Sequence, residues 1–190
     1  MLRLVLASAS PRRRELLTNA GFDFEVIPSE IEEPGSSGAP PAAFAERVAQ
    51  LKAETVARTF APTYRAVVLG ADTIVVVAGA LLGKPRSNEE ARAMLEKLSG
   101  RTHEVITGVA LVGPGGRSAL AHETTQVRFR ELSAEEIETY VAGGEPLDKA
   151  GAYAIQGRAS RFVTRIEGCY FNVMGLPVAL VDRMLRQWKD

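Results

Sequence analysis

The sequence is poor in cysteine, in aromatic residues and in net charge of either sign. Cys169 is the single cysteine among 190 residues, which excludes an internal disulfide and a zinc cluster built from several cysteines. Lys plus Arg and Asp plus Glu each number 23, whereas a general nucleic-acid-binding protein usually carries a basic excess. Aromatic residues make up 6% and do not cluster as a base-stacking platform would. We therefore expect no nucleic-acid partner and no disulfide framework, and any positive field must be local.

Long apolar runs are also absent. The N-terminal segment is apolar for about six residues and then becomes strongly basic, whereas a secretory signal places its charges before the apolar stretch. No run approaches the length of a membrane span. Two histidines, His103 and His122, are too few and too far apart for a typical zinc site, so we interpret both as structural. The sequence therefore predicts a cytoplasmic protein with no membrane partner.

Alternating apolar and helical patterns predict the fold class. Apolar residues make up 46% of the chain, which is enough for a core of its own. Strands are expected at 2–7, 22–27, 65–70, 73–77, 81–82, 103–112, 119–130 and 161–166, and helices at 11–20, 41–60, 87–98, 133–142 and 177–188. Strands alternate with helices early, and a long antiparallel pair follows. This order indicates an α/β fold with a mixed sheet and a cleft, and the length suits one domain or two closely packed lobes.

The first functional signal is a run of three arginines, Arg12 to Arg14, directly after the Ser10-Pro11 helix start. The positive end of the helix dipole disfavours cations there, unless a bound anion reverses the sign. Arg13 also shares the buried stripe of Leu16 and Leu17. The run favours an anion site, and the alternative is a solvated basic helix end.

The second signal is a set of polar residues within apolar patterns. Asp72 lies in the apolar run 67–77, where an unpaired buried carboxylate would cost several kcal/mol. It is either a metal ligand or general base, or an acid at a strand end that tightens a turn or caps a neighbour. Lys52 falls close to the apolar face of its helix, which we place on Phe44, Val48, Leu51 and Thr55, so it snorkels or meets an anion.

Other candidates lie in loops. Gly83-Lys84-Pro85 follows the predicted hairpin but is not a P-loop, because Pro85 replaces the required Ser or Thr. Glu33 lies in the loop after the second strand and matters for chemistry if it shares a metal with Asp72. Gln156, in a Gly-rich turn, is either a loop residue or a reader of a nucleotide base.

These residues fall within a pattern that resembles the Maf family over nearly the whole chain. The matching segments are 6–13 (LASASPRR), Glu33, Lys52, 70–73 (GADT), 83–85 (GKP), 98–103 (LSGRTH), 144–151 (GEPLDKAG), 155–157 (IQG) and 175–177 (GLP). The combination is specific, although each motif alone is weak. Two mild departures are Ala9, where many members carry glycine, and Cys169, where a small residue is usual.

The resemblance implies a nucleoside triphosphate pyrophosphatase that needs a divalent metal such as Mg²⁺ or Mn²⁺ and is often a homodimer. It also implies one domain over residues 1–190, with two lobes around a central cleft and a fold related to inosine-triphosphate pyrophosphatases. The segment 149–157 is similar to the branch that prefers dTTP and UTP rather than 7-methyl-GTP. It further implies that Asp72 is the proton acceptor, and that Arg12, Thr73 and Gln156 influence the choice of substrate.

Together the residues and the resemblance yield a mechanistic hypothesis. Asp72 and Glu33 bind the metal, and Asp72 activates the water that attacks the α-phosphorus. The phosphate oxygens are neutralised by cationic side chains, namely Arg12, Arg13, Lys52 and Lys84. Ser8 contributes a hydroxyl to the phosphates, while Thr73 and Gln156 bind the pyrimidine edge. The alternative function is a non-catalytic, nucleotide-binding regulator of septum formation in cell division.

Overall fold

A computed structural model describes residues 3–31, 38–61 and 65–188. These residues form seven strands: β1 (Arg3–Leu6), β2 (Phe24–Val26), β3 (Ala66–Val77), β4 (Ala80–Leu82), β5 (Thr102–Val112), β6 (Ser118–Phe129) and β7 (Val163–Glu167). They also form six α-helices: α1 (Pro11–Asn19), α2 (Pro41–Ala57), α3 (Asn88–Leu98), α4 (Ala134–Ala142), α5 (Tyr170–Met174) and α6 (Val178–Gln187). None of the helices in these three ranges has the length and apolar character needed to cross a membrane.

The strands join into one hydrogen-bonded sheet in the order β2-β1-β3-β5-β6-β7, with β4 paired to β3 off this path. β1 pairs in parallel with both β2 and β3, and Leu4 lies opposite Phe24 on one side and Val67 on the other. β3 with β4 and β6 with β7 pair antiparallel. The predicted α/β class with a mixed sheet is thus confirmed.

The chain divides into two compact units. Unit 1 comprises residues 1–73, 107–123 and 175–190, and its parallel strands β1 and β3 pack against α2. A Cβ atom built at Gly70 of β3 would lie 2.1 Å from the Ala49 carbonyl oxygen, and one at Gly108 of β5 would lie 2.2 Å from the Ala45 carbonyl carbon. The glycines therefore let the helix backbone rest directly on the strands.

Unit 2 comprises residues 74–106 and 124–174. Its core contains a cluster of aromatic rings, with Phe129 in edge-to-face contact with His103, Tyr153 and Phe162. Ser133 caps α4 through the complete capping box that its spacing from Glu136 predicts. The corresponding box at α3 is only half formed, because Glu90 accepts from the Arg86 amide instead of the Ser87 amide.

Three features of the pattern were predicted wrongly. β3 is one continuous strand, whereas two strands had been expected, so Asp72 lies within a strand and not at a strand end. The buried face of α2 consists of Ala45, Val48, Ala49, Ala53 and Val56. Phe44, Leu51 and Thr55 are only half-buried, because packing against glycine selects small side chains. The short helix α5 was not expected at all.

Candidate active site

The turn after β1 brings Ser8 and α1 together. The Ser10 amide donates to the Ser8 Oγ at 3.2 Å, and Ser8 is buried. Ser10 occupies the N-cap position as predicted, but its side chain makes no capping hydrogen bond. Pro11 then starts the helix with a backbone nitrogen that needs no acceptor. The local sequence thus holds the first turn of α1 directly over the end of β1.

Arg13 is buried and donates to four acceptors within unit 1. Its Nε binds the Gly175 carbonyl at 2.8 Å, and its Nη1 binds the Ala71 carbonyl at 2.8 Å and the Ser8 Oγ at 3.2 Å. Its Nη2 binds the Thr73 Oγ1 at 3.1 Å. The prediction that Arg13 lies on the buried stripe of α1 with Leu16 and Leu17 is confirmed. The guanidinium group joins α1, the turn after β1, β3 and the chain at Gly175.

Asp72 and Lys52 form a second contact of unit 1. The Lys52 Nζ lies 2.6 Å from the Asp72 Oδ1, and the two side chains are 13% and 9% exposed. Lys52 reaches Asp72 because Gly70, two residues earlier on β3, admits the α2 backbone at Ala49 and Ala53. Asp72 and Lys52, the two charged residues that interrupt apolar patterns in the sequence, therefore neutralise each other.

Arg13 and Lys52 approach β3 from opposite faces. Asp72 and Thr73 are consecutive residues of β3, and consecutive side chains of a strand point to opposite sides of the sheet. Arg13 holds the Thr73 side chain, while Lys52 holds the Asp72 side chain. Arg13 at the start of α1 therefore contacts β3 on the side opposite the Asp72 side chain, and the direct partner of the acid is Lys52.

Unit 2 contains two further candidates, Lys84 and Gln156, and both side chains are exposed. The Gly83 carbonyl next to Lys84 accepts from the Gly151 amide at 3.0 Å. The segment after Gln156 is held by Glu145, whose Oε2 accepts from the Arg158 amide at 3.1 Å. Within the same unit, the Glu145 Oε1 accepts from the Tyr140 hydroxyl at 2.8 Å.

The remaining candidates differ in what the structure describes of them. Arg12 is half-buried at the start of α1. Glu33 lies outside the described residues. In the part of the chain that the structure describes, no three His, Cys, Asp or Glu side chains are grouped closely enough to hold a metal ion. Asp72 still fits a Mg²⁺ or Mn²⁺ ion that is carried by a nucleotide, since such ions take one or two carboxylates and complete their shell with phosphate and water oxygens.

The two histidines occupy different environments. His103 is buried in unit 2, where its Nε2 lies 2.9 Å from the Tyr153 hydroxyl, and burial lowers its pKa to about 4. His122 lies on unit 1, with its Nδ1 2.7 Å from the Glu46 carboxylate. Neither histidine belongs to a metal-binding group among residues 3–31, 38–61 and 65–188.

Two residues that contact candidate segments, Thr107 and Glu145, were not among the predicted site residues. Thr107 is fully buried in β5, and its Oγ1 lies 2.9 Å from the Thr73 Oγ1. The signal was available, because Thr107 is a polar residue in a mostly apolar strand, as Asp72 is in β3. Glu145 begins a short 3-10 helix (Glu145–Asp148), where an acidic residue breaks no apolar pattern, although it lies within the family-like segment 144–151.

Comparisons with known proteins identify the family of the chain. The family described as Maf-like protein matches residues 3–188. The dTTP/UTP pyrophosphatase of Moorella thermoacetica is 55% identical over 186 residues, covering 97% of this chain and 94% of that protein. The dTTP/UTP pyrophosphatase of Symbiobacterium thermophilum is 51% identical over 188 residues, covering 99% of this chain and 95% of that protein.

Two solved structures show the same fold at low sequence identity. The Ham1 protein of Staphylococcus aureus has a TM-score of 0.57 and 18% identity, covering 98% of this chain and all of that chain. A HAM1 protein of Coxiella burnetii has a TM-score of 0.57 and 17% identity, covering 99% and 100%. The family match spans nearly the whole chain, residues 3–188. This chain therefore belongs to the Maf family.

Proposed function

We propose that this chain hydrolyses dTTP and UTP to the monophosphate and pyrophosphate. The observation that carries the proposal is the buried Asp72 carboxylate held by Lys52 in the middle of β3. Burying a charge pair is costly and adds little stability over apolar packing, so a catalytic task accounts for it better than a structural one. The names of the two relatives at 55% and 51% identity support the choice of substrate.

In this proposal Asp72 is the general base. It takes a proton from a water molecule as the water oxygen attacks the α-phosphorus. The bond between the α-phosphorus and the bridging oxygen to the β-phosphorus breaks, and pyrophosphate leaves with that oxygen. Asp72, together with Glu33, would hold a divalent cation, which supplies charge neutralisation at the phosphates. We propose Mg²⁺ or Mn²⁺, because carboxylate oxygens suit these hard ions.

The basic side chains of unit 1 have two different roles in this proposal. Lys52 compensates the Asp72 charge before substrate binds, and with Arg12 it neutralises phosphate oxygens. Sequence analysis assigned Arg13 to the phosphates as well, but its four donor contacts support a task in holding Ser8, Ala71 and Thr73 in place. Lys84 as a phosphate ligand, and Thr73 and Gln156 as base-recognising residues, remain predictions from the family resemblance. The same holds for the homodimer and for action in the cytoplasm, which the single cysteine supports.

The product pattern and one isosteric variant test the proposal. Wild-type protein incubated with dTTP and Mg²⁺ or Mn²⁺ should release dTMP and pyrophosphate, identified by ³¹P NMR or ion-exchange chromatography. Asp72→Asn should lower kcat by at least about a hundredfold, since it removes the base while keeping the shape of the side chain. Asp182→Asn, which changes a partly exposed aspartate of α6, should leave kcat unchanged.

Three outcomes would contradict the proposal. Release of dTDP and phosphate would show that the wrong bond had been assigned. Tight dTTP binding without turnover would favour the non-catalytic regulator of septum formation instead. Full turnover by Asp72→Asn would remove Asp72 as the base. Circular dichroism on each variant keeps loss of fold apart from loss of chemistry.

A further inference from the structure

The buried hydroxyl of Thr107 is not used by the proposed chemistry. Thr107 is 0% exposed in β5, and its Oγ1 contacts the Thr73 Oγ1 at 2.9 Å. The next residue, Gly108, lies so close to the α2 backbone at Ala45 that a Cβ atom there would approach the carbonyl carbon to 2.2 Å. The backbone beside Thr107 is thus held firmly against α2, which makes Thr107 a rigid anchor for Thr73.

Three groups surround the Thr73 hydroxyl: the Arg13 guanidinium group, the Thr107 hydroxyl and the Gly175 carbonyl. The Thr73 Oγ1 accepts from the Arg13 Nη2 at 3.1 Å, and it lies 2.9 Å from the Thr107 Oγ1 and 3.3 Å from the Gly175 carbonyl. A hydroxyl has one proton, so Thr73 can donate to Thr107 or to Gly175 but not to both. Either hydroxyl can be the donor of the contact between Thr73 and Thr107. The Thr73 side chain is therefore fixed by Arg13, Gly175 and Thr107 together.

Arg13 contacts β3 on both sides of Asp72. Arg13 binds the Ala71 carbonyl before Asp72 and the Thr73 hydroxyl after it. Arg13 and Thr73 share the Gly175 carbonyl as acceptor, at 2.8 and 3.3 Å. Loss of the Thr107 hydroxyl would remove one of the three contacts that fix the Thr73 side chain, and Thr73 follows Asp72 directly in β3.

We propose that Thr107 is a positioning residue, which acts through Thr73 and Arg13 to hold the Asp72 carboxylate in its productive place. This inference rests on the proposed function, in which Asp72 is the base. Thr107 itself touches no reacting atom. Displacing a reacting group by about 1 Å can cost on the order of a hundredfold in rate, so weaker positioning of Asp72 should lower kcat.

Two substitutions at Thr107 separate the hydroxyl from the shape of the side chain. Thr107→Val keeps the shape and removes the hydroxyl, and we expect kcat for dTTP to fall by about tenfold with KM changed by less than about threefold. Thr107→Ser keeps the hydroxyl and loses a methyl group, and its kcat should stay within about threefold of wild type. In a Thr73→Val background, Thr107→Val should lower kcat no further, because the two residues act in series.

A buried threonine of unit 2 provides the matched control. Thr125 is also 0% exposed, and its Oγ1 lies 3.0 Å from the Cys169 carbonyl and from the Asn172 Nδ2. If Thr125→Val lowers kcat as much as Thr107→Val, the loss reflects any missing buried hydroxyl, and the proposal is overturned. It is also overturned if Thr107→Ser and Thr107→Val lose equal activity, or if the loss follows the unfolded fraction at the assay temperature. A wild-type protein without turnover of dTTP or UTP would instead remove the proposed function, and this role with it.

Discussion

Replacing Lys52 by methionine should destabilise unit 1, because it leaves the Asp72 carboxylate buried without a counter-charge. At 2.6 Å and an effective dielectric constant of about 20, the attraction between the two charges is about 6 kcal/mol. Desolvation of the two ions consumes much of that attraction, so the pair adds little over apolar packing. Removing one partner of a buried pair costs about 3–5 kcal/mol, since the other ion stays desolvated and unpaired. We therefore expect Lys52→Met to lower the free energy of unfolding by about 3 kcal/mol or more.

The double variant Lys52→Met/Asp72→Asn provides the decisive comparison. It removes both charges and should recover a large part of the stability lost in Lys52→Met. With Asp72→Asn as the second single variant, the cycle should give a coupling free energy of about 2 kcal/mol or more between the two positions. Urea unfolding followed by the fluorescence of Trp188 suits the measurement, because Trp188 is the single tryptophan and lies in unit 1, as do Lys52 and Asp72. If Lys52→Met costs less than about 1 kcal/mol, or if the double variant is no more stable than Lys52→Met, the reasoning about the buried carboxylate is refuted.

Two further predictions concern stability. Gly108→Ala should unfold at a temperature lower by roughly 5 °C or more, because its methyl group would press on the α2 backbone at Ala45. Gly115 has open space around it but a positive φ, so Gly115→Ala should lower the melting temperature by less. Equal melting temperatures of the two variants would contradict the close approach at Gly108. His103 has a folded-state pKa of about 4 against an ordinary value of 6.5, so the unfolded chain binds the extra proton, and stability present above pH 6.5 is lost as the pH falls towards 4. We expect about 2 kcal/mol of loss between pH 7 and pH 5 in urea titrations; His103→Gln should lack this part of the pH dependence, and an unchanged slope in that variant would assign it to other groups.

Much of the fold could be predicted because its signals are local. The helix start at Ser10-Pro11, the capping box at Ser133 and the turn between β5 and β6 each depend on a few neighbouring residues. The candidate site could be found for a related reason, since Asp72 and Lys52 each break an apolar pattern within their own element. Their pairing with each other could not be read from the pattern. It depends on Gly70, which brings α2 onto β3, and glycine in a strand has many other uses.

Arg13 shows the difference most clearly. Its place on the buried stripe of α1 follows from helical spacing, and the sequence determined that much by itself. Only the tertiary structure decided that its guanidinium group binds Ala71, Thr73 and Gly175. These residues follow Arg13 in the sequence by 58, 60 and 162 positions. Spacing within one helix determines which face a side chain occupies, but the acceptors that face it belong to distant segments. Those partners, and the buried hydroxyl of Thr107 beside them, are determined by how the strands of unit 1 pack.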